Sequence, residues 1–245
     1  MSAGGGTGSN QFGPEHTGRR VPESEPARPD DEATRSDGAR PAGAEHLVVQ
    51  YGQTPFDEDA RFDLMPRYQS LVTMDEVNAA EAENIAMARV WLRSHPFDLP
   101  EALLDQTALR DLHRRMFGNV WTWAGKLRVR ETNVGIDPTM IAQEWELLLR
   151  NTIAQIEHRS YPAEEIGIRF HRAMLAIHCF TNGNGRHARM TANEIGRLLG
   201  LGDGFYTWGA RSGDDPGAVR RSYLEALRLA DVTDEHGPLQ RLARS

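Results

Sequence analysis

From Thr73 to about Ala230 the apolar residues of this chain recur mainly at the 3.6-residue spacing of helices, and two of the stretches that interrupt the pattern are informative. That confines the fold to a mainly α class. Thr73 followed by Glu76 is a capping-box pattern and predicts a helix running to about Ser94, ended by Pro96. Leu104, Ala108, Leu112 and Met116 predict a second helix over about 101–116. Ile141, Trp145, Leu148, Leu149, Thr152, Ile153 and Ile156 predict a third after Pro138. A fourth opens near Pro162 with Ile166, Phe170, Met174 and Ile177 on one face. Further helices are predicted over about 186–200, closed by Gly200, and over about 215–230. The first interruption, KLRVRETNVGI at 126–136, alternates and carries Gly135; it predicts a small β-hairpin.

The remainder of the chain sets the boundaries. Residues 1–45 contain Phe12 and Val21 and little else that is large and apolar, so the segment is expected to be disordered. Residues 46–245, about 200 residues, suffice for one sizeable core. No segment approaches the roughly 20 apolar residues of a membrane span, and the N-terminus lacks the apolar stretch of a secretion signal. The expectation is a soluble, cytoplasmic protein without membrane contact. The net charge of −7 argues against direct nucleic-acid binding. Cys179 is the only cysteine, so no internal disulfide forms.

The second interruption carries the chemistry. It reads His178-Cys179-Phe180-Thr181-Asn182-Gly183-Asn184-Gly185-Arg186-His187-Ala188-Arg189 and lies between two predicted helices. A Gly-Asn-Gly turn that opens a helix can gather several N–H groups into a concavity suited to a phosphate. Arg186 and Arg189, three residues apart, project from one face of the new helix and offer planar donors to phosphate oxygens. His178 precedes the nest, and an imidazole titrating near neutrality suits a general base. Together these residues point to attack on a phosphate by a hydroxyl that His178 deprotonates.

HCFTNGNGRHAR resembles the signature of the Fic (Fido) domain family, matching at His178, Phe180, Gly183, Asn184, Gly185, Arg186 and Arg189. From about Tyr51 onward the segments DLHRRMFGNVWTWAGKLR, the 126–136 stretch, FYTWG and SYLEALRLAD are similar to the subgroup called mobile mystery protein B. The resemblance implies a Fic-type helical bundle with a hairpin flap. It also implies a protein adenylyltransferase, which moves AMP from ATP to a Ser, Thr or Tyr hydroxyl of a target protein. His178 would be the catalytic base. Arg186, with the nest of Gly183, Asn184 and Gly185 and with Arg189, would hold the phosphates, and Phe180 would anchor the loop. Tyr223 and Asp231 would contact the adenosine. Arg130, Thr132, Asn133, Val134 and Gly135 would form the flap that pairs with the target strand. A helix-turn-helix partner protein is implied by the resemblance alone.

One departure concerns metal. The family has Asp or Glu where this chain has Asn182, the position that holds Mg²⁺ between the phosphates. An amide oxygen ligates without charge, so either metal binding weakens or phosphates and water carry it. Two alternatives to adenylyl transfer stay open: a weakly active scaffold that binds nucleotide or a partner, and a transferase using another phosphate-containing donor. The family's inhibitory helix, Ser/Thr-x-x-x-Glu-Gly/Asn, matches in part over about 73–94. Glu83-Asn84 fits its end and Ala79 stands where a hydroxyl belongs. Glu83 is accordingly the expected regulatory residue, pairing with Arg189.

Other residues are read as structural. His171 lacks the partners of a metal site. Cys179 is a small buried group, Trp121 and Trp123 belong to the core, and Asp214 and Asp215 cap the following helix.

Overall fold

The computed structural model describes residues 62–71, 73–209, 215–233 and 235–245; the tail expected over 1–45 lies outside them. Eight α-helices follow in order among the described residues: α1 (Met74–Ser94), α2 (Pro100–Leu103), α3 (Gln106–Phe117), α4 (Ile141–Glu157), α5 (Ala163–Ile177), α6 (Asn184–Leu198), α7 (Pro216–Thr233) and α8 (Gly237–Ala243). Among the described residues no helix is long and apolar enough to cross a membrane.

The α1 capping box forms as expected: Glu76 N–H donates to Thr73 Oγ1 at 3.3 Å and Thr73 N–H to Glu76 Oε2 at 3.0 Å. The helix expected over 101–116 is divided. Asp105 leaves helical geometry and accepts from Ala108 N–H at 2.9 Å, so its carboxylate caps α3 and separates it from α2. Asp215 caps α7 by accepting from the N–H groups of Gly217 and Ala218, each at 3.1 Å; Asp214 lies outside the described residues.

α5 and α6 pack most extensively against each other, with α1, α3 and α4 around them. The main core holds Trp145, Phe117, Phe170 and Phe180, all fully buried, and each such side chain contributes about 1.5–3 kcal/mol. Phe180 belongs to the loop between α5 and α6. Trp145 meets it edge-on with ring centroids 5.7 Å apart, so the loop is anchored in the core from beneath. A second cluster joins Ile168 and Ala192 to Tyr206, Trp208, Tyr223, Leu239 and Ala243. There the Tyr206 hydroxyl donates to the Glu164 carbonyl at 2.9 Å, filling the space that Gly167 leaves by having no Cβ.

The expected β-hairpin does not form; no strand is present among the described residues, only isolated bridges. The two limbs of the 126–136 stretch pair with the end of α5 and the loop after it rather than with each other. Arg128 N–H donates to the Cys179 carbonyl at 3.0 Å and Ile136 N–H to the Ile177 carbonyl at 3.4 Å. Leu127 and Phe180 form an antiparallel bridge. Backbone groups committed to a third segment cannot close a hairpin ladder.

Candidate active site

The site is built where α5 ends and α6 begins. His178 closes α5 in the left-handed conformation, φ 56° and ψ 62°, which a Cβ-bearing residue adopts at a cost. The kink turns the chain away from the helix and aims the ring. Burial, and then the positive charge of Arg128, push His178 down to about 4; a hydrogen bond to the Leu175 carbonyl opposes them. The ring is therefore neutral at pH 7 with its lone pair free to accept a proton, but it does not titrate near neutrality as the sequence led one to expect, and is a weaker base than a free imidazole.

Gly183 follows at φ 79°, and a Cβ there would stand 2.6 Å from the Phe117 ring, so only glycine fits. α6 starts at the next residue, two positions before the expected start. No side chain caps it, so the first N–H groups of the helix have no side-chain acceptor, an arrangement that suits an anion. Asn184 behaves differently from a direct phosphate ligand. Its amide turns inward, accepting from Phe180 N–H at 2.9 Å and donating to the Phe180 carbonyl at 2.7 Å. It clamps the loop, and its backbone alone faces the nest. At Gly185 a Cβ would meet nothing closer than Leu175 at 4.0 Å, so the space beside it is open to a ligand.

Arg186 and Arg189 share one face of α6 and line a cavity of about 1140 Å³ between α1, α6 and the 203–208 segment. Arg189 lies over the Tyr223 ring at 5.3 Å. Burial lowers its pKa from the ordinary arginine value, and Arg186, Arg220 and Arg89 add to that. Guanidinium groups crowded in this way favour an anion among them. Arg186 is half occupied already. It forms an ion pair with Glu81 of α1, whose other oxygen accepts from Trp121 Nε1–H at 2.6 Å. Glu81 is 2% exposed.

Glu81 was not a sequence candidate, and it replaces Glu83. Glu83 is exposed and makes no ion pair among the described residues, so the expected contact with Arg189 is absent. The reason is helical: two residues apart is about 200° around the axis. Glu81 falls on the buried stripe with Val77, Ile85, Ala88 and Leu92, and that spacing was the signal. His113 was missed for a similar reason. It sits on the inner face of α3, stacks on Phe180 at 3.7 Å, and its Nε2 donates to the Asn182 carbonyl at 3.1 Å while its Nδ1 accepts from Gly125 N–H at 3.0 Å. Those two bonds set its tautomer and brace the nest from behind.

Tyr223 and Asp231 are not among the residues lining the cavity. The Tyr223 hydroxyl is hydrogen-bonded to His171 Nε2 at 2.9 Å, and burial raises the phenol to about 12; it supports Arg189 from below. Asp231 accepts from Arg172 of α5 at 2.9 Å. Arg130, Thr132, Asn133, Val134 and Gly135 are all exposed. Gly135, φ 105°, touches the base: a Cβ there would lie 2.6 Å from His178 Cβ. Cys179 is buried, and burial raises its thiol to about 12, so it is inert as a nucleophile. Trp121 and Trp123 stack in the core at 5.1 Å as expected.

A magnesium ion at this loop would depend on nucleotide phosphates and water, with the Asn182 amide the only side chain at the family's metal position. Asn182 Oδ1 accepts from Gly183 N–H at 2.6 Å, turned back on its own loop, and the described residues contain no group of three or more His, Cys, Asp or Glu that could hold a metal.

His113, His171 and His187 are buried and held neutral; burial is the first cause in each, and His187 is pushed down to about 4. The folded chain therefore binds fewer protons than the unfolded chain below pH 6.5, so stability is full above that value and declines on acidification towards 4. His187 alone accounts for about 3 kcal/mol over that window. Thermal unfolding followed by circular dichroism is expected to give a flat Tm from pH 8 to 6.5 and a falling one below. A Tm unchanged between pH 7 and 5 would contradict the burial of neutral imidazoles.

Residues 103–195 match the model of the Fic/DOC family. The chain carries a Fic/DOC domain. A curated relative, a probable protein adenylyltransferase of Sinorhizobium fredii, is 36% identical over 111 residues, 42% of this chain and 57% of that protein. Among solved structures, a fragment of Fic-1 from C. elegans aligns with a TM-score of 0.55 at 19% identity, over 73% of this chain and 52% of the fragment. BepC of Bartonella tribocorum, solved with AMPPNP bound, aligns with a TM-score of 0.53 at 17% identity, over 71% of this chain and 87% of that one. The structural likeness is one of fold, and the match spans little more than half the length of the curated relative and of the C. elegans fragment. The family match covers α3 to α6 and so includes His178, Arg186 and Arg189.

Proposed function

We propose that this Fic/DOC protein is a protein adenylyltransferase that moves the AMP of ATP onto a Ser, Thr or Tyr hydroxyl of a target protein. The observation that carries the reading is the neutral His178 ring at the α5 end of the loop, with an uncapped helix N-terminus and Arg186 and Arg189 at its α6 end. The curated relative is named for the same activity, and BepC was solved with an ATP analogue.

In this reading the target hydroxyl oxygen attacks the α-phosphorus of ATP. His178 takes the hydroxyl proton as the new P–O bond forms. The bond from the α-phosphorus to the bridging oxygen breaks, and pyrophosphate leaves with the electron pair. The first N–H groups of α6, with Arg186 and Arg189, offset the charge that develops on the leaving group. The exposed 129–135 segment offers main-chain groups to the target strand beside His178. Glu81 must release Arg186 before a phosphate can use it.

The test is the position of the label. ATP labelled at the α-phosphate is expected to mark protein, and ATP labelled at the γ-phosphate is not. Label from the γ-position alone would make the chain a phosphotransferase. A second reading, nucleotide binding without transfer, is favoured by the uncharged Asn182 and by the hold of Glu81 on Arg186. Saturable ATP binding by calorimetry with no label from either position would establish it instead.

A further inference from the structure

Arg128 is 4% exposed, and no carboxylate lies within ion-pair distance of it among the described residues. An arginine stays charged inside a protein and needs its donors met. Here backbone carbonyls meet them. Nε donates to the His178 carbonyl at 2.6 Å, Nη1 to the Arg130 carbonyl at 3.0 Å, and Nη2 to the carbonyls of Ile136 and, at 3.4 Å, Ile177. Its own N–H donates to the Cys179 carbonyl at 3.0 Å.

Those acceptors belong to three segments: the outgoing limb of the 129–135 stretch, its returning limb, and the end of α5. One guanidinium therefore does what a hairpin ladder does not do in this chain: it ties the exposed stretch together and to the residue beside it. The His178 carbonyl is also the one displaced by the left-handed kink, so the bond from Nε fixes the backbone geometry that aims the imidazole. Gly135 closes the arrangement. A Cβ there would lie 2.6 Å from His178 Cβ and 2.7 Å from Arg128 Nη2, so three residues from two segments meet without slack.

We propose that Arg128 is a positioning residue that holds the 129–135 segment and the His178 ring in a common frame, so that an acceptor strand lying on that segment presents its hydroxyl to His178. This deepens the reading of His178 as the base and rests on it. Arg128 reaches no reacting atom in this account; it acts through His178 and the segment backbone.

Arg128→Gln and Arg128→Lys, each checked for native circular dichroism, test it. Both are expected to bind AMPPNP within about threefold of the native Kd, and Arg128→Gln to transfer α-label to lysate proteins about 100-fold more slowly, the scale of loss that a misplacement of about 1 Å brings. Exchange of the Ile136 amide, which donates to the Ile177 carbonyl, is expected to speed up about tenfold or more in Arg128→Gln, with α3 and α4 unchanged, because local protection follows local tethering. The acid limb of the residual transfer is expected to rise towards 6.5 in Arg128→Gln and to stay low in Arg128→Lys, which keeps the charge near His178. A structural role alone would lower Tm without moving that limb.

Transfer by Arg128→Gln within threefold of native, or unchanged exchange at the Ile136 amide, overturns the proposal. So does a loss of AMPPNP affinity that matches the loss of transfer. If His178→Ala transfers as the native chain does, the base assignment fails, and the exchange measurement then decides the tether by itself. Should Arg128→Gln not fold, Arg128→Lys is read for binding, transfer and exchange in its place.

Discussion

Replacing His178 with alanine is expected to lower transfer of α-labelled AMP by about 10²- to 10⁴-fold while leaving the helical circular dichroism intact. The size follows from what is removed. A positioned base is worth that factor, and the anion-binding elements on α6 remain in the variant. The fold should survive because the ring is only half buried and its loop is anchored by Phe180, Asn184 and His113 instead. The pH profile carries the second half of the prediction. Burial and the charge of Arg128 keep His178 neutral down to about 4. Native transfer is expected to stay level from pH 8 to about 5 rather than falling through 6.5, measured at 25 °C with the fold checked at each pH. Equal labelling by variant and native chain would remove His178 from the mechanism.

Freeing Arg186 is expected to have the next largest effect. The Glu81 carboxylate occupies the guanidinium that a phosphate needs, so nucleotide and Glu81 compete for the same donors. Glu81→Gln keeps an oxygen for Trp121 Nε1–H and removes the charge, whereas Glu81→Ala removes both. In each variant AMPPNP is expected to bind roughly tenfold tighter, the effect of removing about 1.4 kcal/mol of competition for Arg186, and transfer should rise with it. Tm should fall more in Glu81→Ala, which leaves the buried indole N–H without its acceptor. Unchanged affinity in both variants would mean that the pair is structural and does not gate the site.

Much of this was legible in the chain itself. The period of the apolar residues located α1, α4, α5, α6 and α7 to within a few residues, because a helix buries one face and its sequence must repeat with the turn. Gly183 and Gly185 with Arg186 and Arg189 marked a helix N-terminus built for anions, because few residue types allow such a turn. The division of α2 from α3 at Asp105 was hidden, since a capping carboxylate and a surface one read alike. Glu81 was legible in principle: it stands on the stripe of Val77 and Ile85, and the family pattern drew the reading two residues on, to the exposed Glu83.

The residue types and their local spacing determined the helices, the turn, and the chemistry a phosphate would meet there. What the tertiary structure alone decided is which backbone and side-chain groups were already committed. Arg128 looked like one residue of an alternating strand and is a buried cation bonded to four carbonyls; Asn184 was read as a backbone member of the nest, and its side chain holds Phe180; Arg186 was read as a phosphate donor and is paired with Glu81. Helical periodicity is local and survives in the order of residues. Hydrogen-bond commitment is settled by partners up to 105 positions away, as between Glu81 and Arg186, which only packing brings together.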